Sequence, residues 1–481
     1  MDRMSPMDAS FLHIEDGVNH MHIASVGIFE GPPPPYDDFV AMVAGKLPLV
    51  PRYRQKVRFV PLDLSRPVWV DDASFNVRYH VRRTALPSPG GDEELRLLVG
   101  RVMSQPLDRN RPLWEMWMVE GLREDRWAVF TKFHHCMVDG VSGTDVITVI
   151  MDNSPDPSSP VADGWVPEPE PDDARLVRDA ISDLVKSPYE QMRVVRSRGR
   201  SLRQLRESFR DLRTGLPSLA RVATSTPESS LNGPIGPHRR WDWARTSLAD
   251  VKRVRAQHGG TVNDVVLTVI SRGFRDLLIS RFEDVTDRVV RTLVPVSVRA
   301  PDQRGVPNNQ VSAMFAELPV GVEDPLERLR LVRAQMDGLK ESKQAVAGEV
   351  LTSMMGFAPP MLLALGARLS ARTPQRNVNT VTTNVPGPQS PMYACGRRMI
   401  EAFPYVPLGG SVRVGIAIFS YDGQLNYGVT GDYDTASDID VLCRGIEAGM
   451  AELLERVLTE RSEQTGSVLS GASEARGVGS P

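Results

Sequence analysis

The sequence predicts two mixed α/β sandwich domains, and three observations support this fold class. The chain of 481 residues is longer than one ordinary domain. A proline-rich acidic segment at 152–174 divides it, and the predicted strands and helices on both sides are mixed without strict alternation. We expect an N-terminal domain at 1–151, a linker with a helical connector at 152–235, a C-terminal domain at 236–460 and a disordered tail at 461–481.

Hydrophobic periodicity gives the elements of each half. In the first half it predicts strands at 22–29, 114–120 and 126–135 and helices at 37–47 and 142–151. In the second half it predicts helices at 248–257, 263–281, 325–343 and 347–370, strands at 289–298, 311–318, 379–384 and 398–403, a hairpin at 412–433 across Asp422-Gly423, and a last helix from Asp438.

Composition excludes several classes of protein. The formal charge of −3 gives no global attraction to nucleic acid. The three cysteines lack CxxC spacing, which argues against a disulfide framework or a structural zinc site and favours a reduced cytoplasm. The N-terminus carries acidic residues and lacks the apolar run of a secretory signal, so we expect the mature chain to start near Met1. The most apolar window, 354–369, is interrupted by Pro359-Pro360 and is too short to span a bilayer.

The connector is strongly basic. Residues 175–221 hold twelve Arg or Lys against five Asp or Glu, and leucines at helical spacing form an apolar stripe beside the arginines. Two interpretations stay open, a solvated helical connector and a surface that meets anionic lipid headgroups.

The stretch FHHCMVDG, residues 133–140, contains the main candidate for chemistry. Alternation along the strand sends the His134 and His135 side chains to opposite faces, so they cannot share one task. The spacing does not suit a metal site, the following GVSGT lacks the second glycine of a serine hydrolase motif, and Cys136 is expected to pack. Two interpretations remain: two structural histidines, or one histidine as a general base. Asp139 is expected to brace the loop, and Gly140 to leave it open for a ligand.

Several motifs in register resemble one family. HHxxxDG at 134–140 resembles the active-site motif of the coenzyme-A-dependent acyltransferase superfamily. The chain is similar to bacterial wax ester synthase/diacylglycerol acyltransferases over about residues 4–460, in the stretches SPMDASFL (5–12), MHIA (21–24), IFEG (28–31), PLWE (112–115), VNDV (262–265), NNQ (308–310), ELP (317–319) and TNVPGP (383–388).

The resemblance implies a fold of two chloramphenicol-acetyltransferase-like domains with a substrate channel between them. It implies that His135 is the general base, that His134 supports it, and that Asp139 and Gly140 shape the loop. The implied reaction is direct transfer of a long-chain acyl group from acyl-CoA to diacylglycerol or a long-chain alcohol. Acyl-CoA is then a co-substrate, and no cofactor or metal is implied.

Substrate-binding residues are also implied. Asn263 of the Asn263-Asp264 pair is the candidate oxyanion donor, although Thr261 to Asp264 also fits a helix capping box. Thr383 and Asn384 are candidates for positioning coenzyme A or the acyl carbonyl, although the prolines after them also fit a rigid turn.

The implied substrates lie in membranes and lipid droplets, so we expect a cytoplasmic protein attached peripherally to the inner face of the membrane or to droplets. Two other functions stay open at this point. One is a condensation-type or polyketide-associated acyltransferase that takes its acyl group from a carrier protein. The other is a weakly active paralogue that binds lipid.

Overall fold

The computed structural model describes residues 2–137, 149–156, 159–183, 226–297, 311–341 and 377–474. The elements of the first half are, in chain order, β1 (Asp2–Arg3), α1 (Pro6–Ile14), β2 (His22–Glu30), α2 (Tyr36–Lys46), 3-10 turns at Leu47–Leu49 and Pro51–Arg54, β3 (Gln55–Arg58), a 3-10 turn at Pro61–Asp63, β4 (Val68–Asp71), α3 (Val77–His80), β5 (Val81–Ala85), α4 (Asp92–Met103), β6 (Trp114–Leu122), β7 (Arg126–His134) and a 3-10 turn at His135–Met137.

The second half continues the same mixture of strands and helices. Its elements are β8 (Arg239–Ser247), α5 (Leu248–His258), α6 (Val262–Ser280), β9 (Val290–Ser297), β10 (Val311–Leu318), α7 (Pro325–Glu341), β11 (Thr380–Val385), β12 (Tyr393–Ala394), β13 (Arg397–Tyr405), β14 (Val414–Tyr421), β15 (Gln424–Asp432) and α8 (Ile439–Glu474). The predicted fold class of mixed α/β sandwiches is confirmed.

Two six-stranded sheets organise these elements. The first has the strand order β12-β13-β2-β7-β6-β5, and the second has the order β10-β9-β11-β14-β15-β8. Strand β13 comes from the second half of the chain, yet it pairs antiparallel with β2 of the first half. A small sheet, β1-β4-β3, lies beside them. The second half of the chain therefore contributes β12 and β13 to the first sheet, which a linear division of the sequence does not anticipate.

Backbone and side-chain contacts join β13 to the second sheet. The Asn426 amide donates to the Ala402 carbonyl at 2.9 Å, and the indole N–H of Trp241 donates to the Pro404 carbonyl at 3.2 Å. Gly428 lies against the same Pro404 carbonyl, at a distance that only a residue without a side chain permits. The two sheets thus meet along β13 and β15.

The acidic linker lies on the first domain. Residues 159–172 contain no helix or strand, as predicted. Arg54 binds the Asp163 carboxylate through two nitrogens, at 2.9 and 2.6 Å, and Lys56 binds Glu170 at 2.8 Å. Arg54 ends the 3-10 turn before β3 and Lys56 lies in β3, so the start of this strand binds two acids of the linker.

The carboxyl end differs from the sequence prediction. Helix α8 continues to Glu474, whereas disorder was expected from residue 461. Extending an existing helix adds a hydrogen bond for each residue fixed, which lets a segment of moderate propensity continue a well-packed helix. The predicted helix at 347–370, most of the helix at 142–151 and most of the basic connector lie outside the described residues.

Candidate active site

The two adjacent histidines lie where the central strand of the first sheet ends. His134 is the last residue of β7 and is paired with His22 of β2, while His135 begins the 3-10 turn that follows. The His135 backbone N–H donates to the Met21 carbonyl at 2.8 Å. The sheet therefore holds the backbone of His135 on its β2 side, next to the start of that strand.

His134 points into the protein. Its side chain is buried, and its Nδ1 accepts a hydrogen bond from the Cys136 backbone N–H at 3.2 Å. An accepting Nδ1 carries no proton, so the neutral ring carries its proton on Nε2. That Nε2 lies 3.4 Å from Oε2 of Glu15. His134 is thus held in one tautomer from both sides.

Glu15 is the carboxylate at the centre of this cluster. It also lies 3.1 Å from Nε2 of His22 and 2.6 Å from Arg109. Burial opposes its ionisation, but the hydrogen bonds from His134 and His22 outweigh that effect and hold the pKa of Glu15 well below its usual range. Burial lowers the pKa of His22 to about 3, so its ring is neutral at pH 7.

His135 lies in a different environment from His134. Its side chain is half-buried, and its ring packs against Phe11 of α1 with centroids 4.0 Å apart and the ring planes tilted by 31°. Burial lowers its pKa to about 4, which leaves the ring neutral at pH 7 and able to accept a proton. The two rings have separate surroundings, as strand alternation predicted. The role of His135 as general base stays a prediction, as do those of Asp139 and Gly140, which lie outside the described residues.

Cys136 follows the histidine pair and packs in the core of the first domain. Its side chain is fully buried, and burial raises the pKa of its thiol well above the usual value. The nucleophilic form of cysteine is the thiolate, which this environment disfavours. The position agrees with the prediction that Cys136 packs.

Asn263 and Asp264 have different surroundings and different roles. Thr261 caps α6: its hydroxyl accepts from the Asp264 N–H at 3.3 Å, and the Asp264 carboxylate accepts from the Thr261 N–H at 2.7 Å. Asp264 therefore completes a capping box and is buried. The amide of Asn263 lies outside this box, half-buried, and remains available for another partner.

That partner is Asn384 of β11. The Asn384 Nδ2 lies 3.4 Å from the Asn263 Oδ1, so the structure brings together two of the predicted substrate-binding residues. Thr383 is half-buried on the opposite face of β11, because side chains alternate along a strand. Within the described residues, Asn263 and Asn384 thus form a pair that Thr383 and Asp264 do not join.

Sequence reasoning missed Glu15, and it treated His22 as scaffold. Glu15 is the C-cap residue of α1, and its contacts come from residues distant in sequence, including Arg109. No local spacing indicates such a cluster. The adjacent Met21-His22 did supply a signal. The first residue of a strand lies opposite the last residue of an antiparallel neighbour, so a histidine there lies beside the end of another strand.

Stability should fall in acid because two neutral histidines are buried. Burial lowers the pKa of His22 to about 3 and that of His80 to about 4. Both groups titrate near pH 6.5 when unfolded, so between about pH 6.5 and 4 the unfolded state binds more protons. Each histidine therefore contributes stability that is present above pH 6.5 and is lost, by about 1.4 kcal/mol per pH unit, as the pH falls through that window. Urea unfolding at pH 7 and pH 5 measures the difference.

The matched control is His80→Phe. The His80 ring stacks between Phe75 and Trp114, so phenylalanine preserves the packing and removes the titrating group. This variant should lose less stability than the unmodified chain between pH 7 and 5. An equal loss in both proteins would contradict the assignment to His80.

Over the described part of the chain, no helix is both long and apolar enough to cross a membrane. Over the same residues, no group of three or more His, Cys, Asp or Glu side chains is arranged to hold a metal ion.

The pairing of β13 with the first sheet and the histidine pair at the end of β7 place the protein in the class of two-domain acyltransferases. A model of the wax ester synthase/diacylglycerol acyltransferase catalytic domain matches residues 4–266, and a model of the C-terminal domain of the same family matches residues 308–454. The chain belongs to the wax ester synthase/diacylglycerol acyltransferase family.

Relatives of known name support this assignment over the full length. The chain is 36% identical over 466 residues to the probable diacylglycerol O-acyltransferase tgs1 of Mycobacterium tuberculosis, covering 94% of this chain and 96% of that protein. The wax ester synthase/diacylglycerol acyltransferase of Marinobacter aquaeolei VT8 is similar in structure, with a TM-score of 0.64, 25% identity and coverage of 95% and 99%. The first condensation domain of the calcium-dependent antibiotic synthetase shares the fold, with a TM-score of 0.59, 14% identity and coverage of 95% and 96%.

Proposed function

We propose that this protein transfers a long-chain acyl group from acyl-CoA to the hydroxyl group of diacylglycerol or of a long-chain alcohol. The products are triacylglycerol or wax ester. Family membership supports the reaction class, and the observation that carries the mechanism is the half-buried His135 ring directly after β7, beside Phe11. Acyl-CoA is the co-substrate, and the proposed chemistry uses no metal or other cofactor.

The proposed reaction is a direct transfer. His135 takes the proton of the acceptor hydroxyl while the oxygen attacks the thioester carbonyl, which gives a tetrahedral oxyanion. Collapse of this intermediate breaks the carbon–sulfur bond, and the leaving thiolate of coenzyme A takes up the proton from His135. No acyl-enzyme forms, which agrees with the buried thiol of Cys136.

The oxyanion donor in this proposal is the side-chain amide of Asn263. Because Oδ1 of Asn263 faces the Asn384 amide, Nδ2 is the group left to donate. Asn263→Ala should lower kcat about 10²–10³-fold, the effect of removing one preorganised donor. Asp264→Ala should mainly lower the free energy of unfolding, by about 1 kcal/mol, because it removes half of the capping box.

The two Asn263-Asp264 variants are compared by steady-state kinetics and urea unfolding of the same preparations. If Asn263→Ala turns over normally, Asn263 is not the oxyanion donor.

A competition assay tests the proposed reaction. Purified protein receives labelled palmitoyl-CoA together with hexadecanol, monoacylglycerol and diacylglycerol, and the labelled esters are identified. Labelled triacylglycerol or wax ester supports the proposal, and the ratio gives the preferred acceptor. Ester formation from a carrier-protein thioester and not from palmitoyl-CoA would overturn the assignment of the donor.

The same substrates support a proposal for location, peripheral attachment to the inner face of the membrane or to lipid droplets. The basic composition of residues 175–221 favours an anionic surface. Attachment through these arginines weakens with salt, so co-sedimentation with phosphatidylglycerol vesicles at two ionic strengths measures it. Binding that ignores ionic strength would count against the arginines.

A further inference from the structure

Glu15 reaches His135 by two separate routes. As C-cap of α1, it donates its backbone N–H to the carbonyl of Phe11 at 3.2 Å, and the Phe11 ring packs against the His135 ring. Its carboxylate accepts from the Met21 backbone N–H at 3.3 Å, and the Met21 carbonyl accepts from the His135 backbone N–H at 2.8 Å. The ring contact and the backbone contact of His135 therefore both lead back to one residue.

Four donors surround the Glu15 carboxylate, which is only 7% exposed. Oε1 faces His22 and the Met21 N–H, and Oε2 faces His134 and Arg109. The Met21 N–H donates to Oε1 and Arg109 donates to Oε2, so neither position tolerates an atom that donates. Such an arrangement requires a carboxylate specifically, which a role in packing alone would not.

The tautomer of His134 depends on the same contact. Its Nδ1 accepts from the Cys136 N–H, so only Nε2 carries a proton toward Glu15. Reversing the tautomer would break the bond to Cys136, which lies directly after His135 in the same 3-10 turn. His134 thus ties the turn that holds His135 to the carboxylate of Glu15.

The geometry points to Glu15 as a positioning residue for the reaction: through Met21 and His134 its carboxylate fixes the place and orientation of the His135 ring. This inference rests on the proposed function, in which His135 is the general base. Glu15 does not contact the His135 ring in the described structure, so its effect is on geometry. A base displaced by about 1 Å loses about 10²-fold in rate, which sets the size of the expected effect.

The test compares Glu15→Gln with Glu15→Asp. Glutamine keeps the shape, but in either orientation its NH₂ group faces two donors. Aspartate is shorter but still accepts at both oxygens. We expect Glu15→Gln to lower kcat about 10²-fold while the KM for palmitoyl-CoA stays unchanged, and Glu15→Asp to recover part of that loss. If shape alone mattered, glutamine would be the milder change.

Glu401→Gln is the matched control. Glu401 is a carboxylate on β13 of the same sheet, 17% exposed, whose partner is Arg245. Its loss should lower stability and leave kcat per folded molecule unchanged. If the Glu15→Gln variant loses no more kcat than Glu401→Gln, or if Glu15→Gln is more active than Glu15→Asp, the inference is overturned.

A His135→Ala sample measured in parallel separates the two levels of the proposal. Turnover by folded His135→Ala would refute the general base itself, whatever the Glu15 variants do. Loss of turnover in His135→Ala together with normal kcat in Glu15→Gln would refute only the positioning role.

Discussion

His135→Ala is expected to abolish ester formation while the protein stays folded. General bases typically contribute about 10²–10⁴-fold in rate, and the hydroxyl of an alcohol is too weak a nucleophile without one. The side chain is half-buried at the end of β7, so truncation removes a ring that packs against Phe11 and leaves the sheet intact. Labelled ester formed from palmitoyl-CoA and diacylglycerol measures the effect, with circular dichroism to confirm the fold.

His13→Ala is a suitable control for this experiment. His13 is also a half-buried histidine near the site, on the helix that carries Phe11, but its ring packs edge-on against Phe59 at 6.2 Å. This variant should turn over normally. Full turnover by a folded His135→Ala protein would contradict the mechanism. An equal loss of turnover in both variants would point to damage of α1.

Local elements could be predicted from the sequence because each has a local signal. The hairpin of β14 and β15 follows from alternating apolar residues around Asp422-Gly423, both of which adopt the positive φ that this dipeptide favours. Side chains alternate between the two faces of the sheet along β7, and its apolar residues are buried on both faces. At the site, the separate environments of His134 and His135 were predicted from the same alternation, although His135 lies in the 3-10 turn that follows the strand.

Other elements had signals that were overlooked. Helix α4 has three acidic residues in its first turn and buried residues at helical spacing from Leu95 to Val102. Strand β8 places Trp241 and Trp243 two residues apart, and both pack with Phe403.

The remaining features could not be predicted, because they depend on contacts between distant parts of the chain. The pairing of β13 with β2 joins Phe403 to Val26, and nothing in either segment specifies the other. The Glu15 cluster likewise combines a helix end, two strands and Arg109. Family resemblance predicted the role of His135 without these contacts, since a motif records the residues of a site and not the residues that hold it in place.

The second large effect that we predict is on stability, and it arises at β13. Gly428→Ala should destabilise the protein by about 3 kcal/mol, the upper end of the range for overpacking. A Cβ at this position would lie 1.7 Å from the Pro404 carbonyl oxygen and 2.8 Å from its carbon. Those atoms belong to the backbone of β13, which is held between β2 and β15, so the clash cannot be relieved by a side-chain rotation. Urea unfolding measures the loss.

Gly338→Ala makes the same chemical change without the clash. Gly338 lies on the exposed side of α7, where no atom of the described residues comes within 4 Å of an added Cβ, and alanine should stabilise the helix by up to about 1 kcal/mol. If Gly428→Ala lowers the free energy of unfolding and Gly338→Ala raises it, the close approach of β13 and β15, and not glycine content, limits the stability. Because β13 also supports β2, whose Met21 end holds His135, the Gly428→Ala protein should lose activity as it loses stability. A stable and active Gly428→Ala protein would mean that the sheets can separate without disturbing the histidines.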